Sequence, residues 1–104
     1  MKRKTFVMHL YPGRSEEYKK RHNAIWPDLK AELRKAGVSD YSIHWDPKTN
    51  LLFAYQILAD DTTEGDLASK EIVKKWWHMM ADLMETHPDE SPVCDDLTEL
   101  FHMD

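Results

Sequence analysis

A phenol, an imidazole, a carboxamide and an indole follow one another at Tyr18, His22, Asn23 and Trp26, within the stretch YKKRHNAIWP of Tyr18 to Pro27. Tyr18 and His22 are four positions apart, which on a helix puts both on one face. That face otherwise carries Ile25, Trp26, Leu29 and Leu33, residues of the kind that pack. A polar pair among them fits a ring-lined pocket. An imidazole whose ordinary pKa is about 6.5 works near neutrality as acid or base, which makes His22 the candidate for proton transfer. The plainer reading is a hydrogen-bonded core histidine with Tyr18 at its rim, and the residue pattern leaves both readings open.

Other ring-bearing residues are weighed the same way. Trp76 and Trp77 are adjacent, so on a helix they point about 100° apart and cannot both face the core in the same way. One packs; the other either widens the apolar face or stacks on the C–H surface of a sugar with its N–H free for a hydroxyl. Tyr41 is a plain strand residue or a phenol at a pocket mouth. His9, His44, His78, His87 and His102 show no H-x-H, H-E-x-x-H or Cys-paired spacing, so no metal ligand set is assigned. There is no serine elbow, no Gly-rich phosphate loop and no carboxylate cluster, which removes most covalent and phosphoryl-transfer chemistry. Mild acid-base chemistry or plain binding remains.

The chain of 104 residues is expected to form one domain over 1–104, with a real core but no second one. Its 14 basic and 19 acidic residues give a net charge of −5, and the basic residues are interspersed rather than gathered, which argues against a nucleic-acid partner. The single Cys94 forms no intrachain disulfide, and no apolar run has the length of a signal or spanning segment. A soluble, cytoplasmic protein with no membrane association is expected.

These residues must be held by regular elements. KRKTFVMHL at 2–10 alternates with Phe6, Met8 and Leu10 on one face and Thr5, Val7 and His9 on the other, the period of a strand. Tyr11, Pro12 and Gly13 break it, and Ser15 is expected to cap a helix that carries Glu16 and Glu17 in its first turn. Pro27 lacks an N–H and biases Trp26 out of helical angles, so the helix kinks or restarts there and runs on to Gly37. Tyr41, Ile43 and Trp45 share one face of a second strand from Val38. The turn DPKTN at 46–50 leads to LLFAYQIL, apolar on both faces as a well-buried strand would be. A helix to about Met84 follows, with Ile72, Val73, Trp76, Trp77, Met80, Leu83 and Met84 at helical spacing, and LTELFHMD reads as a last strand. The expected fold is α+β, a ferredoxin-like β-α-β-β-α-β plan with helices on one sheet face only. A bare apolar sheet face is best covered by a second copy, so a homodimer is expected.

With Tyr18 to Pro27 as Y-x-x-R-H-N-x-I-W-P, Tyr41-Ser-Ile, NLLFAY at 50–55, KWW at 75–77, SPV at 91–93 and ELFHMD at 99–104, the chain resembles the L-rhamnose mutarotases along essentially its whole length. The resemblance implies a cytoplasmic homodimer of the dimeric α/β barrel kind that interconverts the α and β anomers of L-rhamnose without a cofactor. It further implies His22 as proton donor and Tyr18, Tyr41, Trp76 and Trp77 as residues contacting the sugar. Two other readings stand beside it. One is a small monooxygenase or haem-handling protein on the same fold, using His22 or His78. The other is a non-catalytic sugar-binding module using the same Trp and Tyr platform.

Overall fold

Alternation in the first ten residues does produce an edge-to-edge paired strand, β1 (Lys2–His9), in a computed structural model that describes residues 1–104. It is followed by α1 (Ser15–Asn23), α2 (Pro27–Lys35), β2 (Val38–Asp46), β3 (Leu51–Leu58), a 3-10 helix at Glu64–Ser69, α3 (Glu71–Met80) and β4 (Cys94–Asp96). The strands form one antiparallel sheet in the order β2-β3-β1-β4. Opposed residues share a face, so the registers Phe6↔Ala54, Met8↔Leu52 and Ile43↔Ala54 build one continuous apolar surface across three strands. Tyr18 of α1, Leu29 of α2 and Val73, Trp76 and Met80 of α3 close over it in a single core. Each such side chain contributes about 1.5–3 kcal/mol when fully buried.

The helical restart at Trp26 follows the expected physics. α1 ends at Asn23, Trp26 takes extended angles (φ −65°, ψ 130°), and Pro27 opens α2 where its missing N–H costs no helical bond. Gly37 ends that helical run in the left-handed region (φ 89°), and a Cβ there would come within 3.1 Å of the Ala59 Cβ, so glycine is required. A bulge between Ser39 and Ser42, with Asp40 at φ 46°, shifts the β2 register just where Tyr41 turns toward the helices.

Four local expectations are corrected. Ser15 is already the first helical residue and makes no side-chain cap; the Arg14 carbonyl accepts the first helical bond, from the Tyr18 N–H. β3 is buried on one face only: Leu52, Ala54, Gln56 and Leu58 lie under the helices, whereas Phe53 on the opposite face is exposed. α3 stops at Met80, because the backbone beyond it is claimed by the end of β1 and the residues that follow it: the Leu83 carbonyl accepts from the Tyr11 N–H, Met84 bridges to Leu10, and the Glu85 N–H donates to the His9 carbonyl. Leu83 and Met84 remain fully buried, so their spacing reported core rather than helix. Finally, the last strand is Cys94–Asp96, and 97–104 has no regular structure. The register Phe6↔Asp96 and Met8↔Cys94 would bring Leu100 opposite Lys2, where β1 begins, so Phe101 to Asp104 outrun their pairing strand, and of Leu97 to Leu100 only Leu97 makes a backbone bond to β1, from its N–H to the Thr5 carbonyl.

Candidate active site

Between the helical layer and the sheet lies an open cavity of about 1020 Å³. All five residues singled out in the sequence border it: Tyr18 and His22 from α1, Tyr41 from β2, and Trp76 and Trp77 from α3. The helical spacing of Tyr18 and His22 stacks their rings, with centroids 4.3 Å apart and planes 23° apart. Trp76 meets His22 edge-on at 5.3 Å and 89°. Trp26 does not wall the cavity beside His22; it stands behind Trp76, edge-on at 5.2 Å, and fixes that indole from the far side. Trp76 is thus the packing member of the tryptophan pair, and Trp77, half-buried, sits at the edge of the core.

Hydrogen bonding decides the state of the imidazole. His22 Nδ1 lies 3.0 Å from the Tyr18 carbonyl oxygen. A carbonyl only accepts, so Nδ1 carries the proton and donates, and in the neutral ring Nε2 is left bare. Burial among the rings lowers the His22 pKa from its ordinary value, and the bond to the Tyr18 carbonyl offsets this only in part. His22 is therefore a neutral imidazole near pH 7, with one nitrogen anchored and the other available. Both tyrosines move the other way: burial raises the Tyr18 phenol far above the usual tyrosine range and pushes Tyr41 up to about 12. Near neutrality they are hydrogen-bonding phenols, not bases. Tyr41 is an exposed residue by its overall surface, but its hydroxyl end reaches the packed interior, where Gln56 partly counters the upward shift.

The periodicity of the strands assigned nothing to Gln56, yet it is the one buried polar residue and it lines the cavity. A single carboxamide inside LLFAYQIL was the available signal. Lys4 faces it across the β1–β3 register and pairs with Glu64 at 3.4 Å, and all three line the cavity.

Arg21, next to His22, also lay outside the expectations. Its guanidinium takes both carboxylate oxygens of Asp82 at 2.8 and 3.3 Å, the Met79 carbonyl at 2.6 Å and Glu17 at 3.1 Å, tying α1 to the C-terminal end of α3. The clamp lies one residue from His22 on α1 and three from Trp76 on α3. Arg21→Lys, which keeps the charge but loses the planar fork, is expected to lower the thermal midpoint by a few degrees, on the order of 1 kcal/mol; thermal melts check this.

Comparison with known proteins gives a consistent picture. The family model described as L-rhamnose mutarotase matches residues 3–103. An L-rhamnose mutarotase from Bacteroides thetaiotaomicron is 59% identical over 104 residues, covering 100% of both chains. One from Phocaeicola vulgatus is 54% identical with the same coverage. The crystal structure of L-rhamnose mutarotase from Formosa agariphila superimposes with a TM-score of 0.93 at 49% identity, covering 100% of each chain.

Proposed function

The chain belongs to the L-rhamnose mutarotase family, and on that premise we propose how its residues carry out anomer exchange. It is an isomerase, a sugar mutarotase whose substrate is L-rhamnose. The reaction removes a proton from the anomeric hydroxyl, adds one to the ring oxygen and breaks the C1–O5 bond. The resulting aldehyde turns about C1–C2, and the ring recloses on the other face.

His22 is the group that donates the proton to the ring oxygen. A neutral resting imidazole has no proton to spare at Nε2, so it first takes one. The anomeric hydroxyl and the ring oxygen share C1, so one nitrogen within reach of both can accept from the first and donate to the second. His22 thus ends the forward step neutral, as it began, and reclosure runs the same transfers backwards. Tyr18 and Tyr41, held as phenols, donate hydrogen bonds to sugar oxygens as negative charge develops on them. Trp76 and Trp77 offer indole surface to the C–H face of the ring. The observation that carries this reading is the bond from His22 Nδ1 to the Tyr18 carbonyl, which leaves Nε2 as the working nitrogen.

The pH dependence tests it. Because the folded pKa of His22 is depressed, the active neutral form persists below pH 6.5, and enzymatic exchange falls only as pH drops through the lowered value. With Tyr41 pushed up to about 12, the alkaline side stays flat through the ordinary assay range. The profile of kcat/KM, corrected for uncatalysed exchange, reads both. A rate that instead declines as pH rises past neutrality would mean that the resting imidazole must be charged, and would overturn this proton order.

The assembly we propose is a cytoplasmic homodimer of the dimeric α/β barrel kind, each protomer a single ferredoxin-like domain over 1–104. The sheet order β2-β3-β1-β4 supports the plan. The face of β3 away from the helices supports the pairing, since it carries Phe53 at 38% exposure beside Tyr55 and Ile57. No helix of the protein is long and apolar enough to cross a membrane.

A further inference from the structure

We propose that the segment Leu97–Asp104 of one protomer closes the mouth of its partner's cavity against Tyr41 and Trp45, so that each active site is built from two chains. This rests on the homodimer reading above and deepens it.

The segment has nothing to pack on in its own protomer. It is held only at its start, where the Leu97 N–H donates to the Thr5 carbonyl and Arg3 grips Glu99 at 2.6 Å. Beyond that, Leu100, Phe101 and Met103 are 94%, 81% and 79% exposed. Isolated exposed apolar residues are ordinary, but three within four positions form a patch that asks for a partner. The cavity shows the matching deficit. Tyr41 and Trp45 line it from β2, one of the two edge strands of the sheet, yet are 39% and 44% exposed. At about 1020 Å³ it also lies at the upper end of the roughly 300–1,000 Å³ typical of whole drug-sized ligands, far roomier than one monosaccharide needs.

Charge favours the match. The cavity lining carries Lys4, Lys19, Lys30 and Arg34 against Asp40 and Glu64, so 4 − 2 = +2. With Glu99 already held by Arg3, the segment carries Asp104 and no Lys or Arg, so 0 − 1 = −1. Beyond Glu99, the last residue held by its own protomer, five extended residues span roughly 17 Å, the length over which Leu100, Phe101 and Met103 can meet a neighbouring chain. Two-fold symmetry then satisfies both deficits at once, because a patch on one chain that fits a different patch on its partner is met twice. Seated there, Phe101 and Leu100 would exclude water from the sugar and present an apolar wall to its methyl group.

The test is subunit mixing. Phe101 touches little of its own protomer, so Phe101→Asp should keep native circular dichroism. We expect it to raise the KM for L-rhamnose at least about 10-fold, as expected for a lost apolar contact in the site. Differently tagged Phe101→Asp and His22→Ala chains are then co-expressed and the heterodimer is purified through both tags. In the proposed arrangement the chain with an intact His22 receives a native Phe101 from its partner. One of the two sites is whole, and about half the activity of the native dimer returns with a native KM. A heterodimer no more active than its parents would place the segment over its own cavity and overturn the proposal, as would a Phe101→Asp homodimer with unchanged KM. Dissociation of Phe101→Asp into monomers that form no heterodimer would assign Phe101 to subunit adhesion alone and also overturn it. Light scattering on the native protein separates the premise from the inference: a native monomer sinks the homodimer reading itself, whereas a native dimer with any of the preceding negatives sinks only the shared site.

Discussion

Replacing His22 by alanine is expected to slow enzymatic exchange of the L-rhamnose anomers by about 10²–10⁴-fold, the range that one positioned acid-base group supplies. The measurement is saturation transfer between the two anomeric protons, taken with native protein, with the variant and with buffer, since the sugar also mutarotates in water. Two effects could reduce the rate, loss of the proton carrier and collapse of the site, and they must be separated. His22 stacks on Tyr18 at 4.3 Å and meets Trp76 at 5.3 Å, and aromatic pairs contribute about 0.5–1.5 kcal/mol each. The alanine variant therefore loses stability as well, but less than a domain's usual 5–15 kcal/mol. His22→Phe keeps a ring between Tyr18 and Trp76 while removing both nitrogens. It should fold like the native protein and still lose the exchange. If either variant, folded, matches the native rate, His22 is structural and the proton carrier lies elsewhere.

How far the fold was legible in the sequence depends on the range of the interaction that decides each feature. Pro27 acts on its own neighbours, by its fixed φ and missing N–H, and the break at Trp26 appears where local chemistry puts it. The stacking of Tyr18 on His22 is likewise a four-residue matter, as is the shared face of Tyr41, Ile43 and Trp45 on β2. The end of α3 was not readable, because Leu83 and Met84 continue the apolar spacing while their backbone is drawn off by Tyr11 and Leu10, more than seventy residues earlier. Long range also hides the clamp of Arg21 on Asp82, 61 positions away, and the stand of Trp26 behind Trp76. In the site, residue types were visible and partners were not. His22 could be chosen as titratable among rings, but its anchored nitrogen depends on which carbonyl the helix presents. Gln56 was visible only as a polar residue out of place in an apolar strand. The misread last strand has a related cause: LTELFHMD has the composition of a strand, but the β1 register puts Leu100 opposite Lys2, where β1 begins, so Phe101 to Asp104 have no strand to pair with.

Trp76→Ala should be the most damaging single substitution for stability, and it should separate the two members of the tryptophan pair. Trp76 is buried in the core, wedged edge-on between His22 and Trp26. Truncating such a side chain costs about 3–5 kcal/mol, because the cavity left behind closes only in part. For a chain of this size each kcal/mol shifts the thermal midpoint by about 4–8 °C, so the midpoint should drop by more than about 12 °C. Activity should fall with it even below the new midpoint, since His22 loses the ring that limits its tilt. Trp77 is half-buried at the cavity edge, so Trp77→Ala should move the midpoint by only a few degrees, on the order of 1 kcal/mol, and should instead raise KM through the lost sugar contact. Thermal melts and anomer-exchange kinetics on the pair check both halves. The assignment of Trp76 as a buttress as well as a sugar contact, and of Trp77 as a contact alone, fails if the two variants melt alike, or if Trp76→Ala keeps its midpoint and loses only substrate affinity. An unchanged midpoint for Trp76→Ala would mean that the indole edge against His22 carries no weight in holding α1 to α3, whereas a Trp77→Ala midpoint as low as that of Trp76→Ala would mean that both indoles pack.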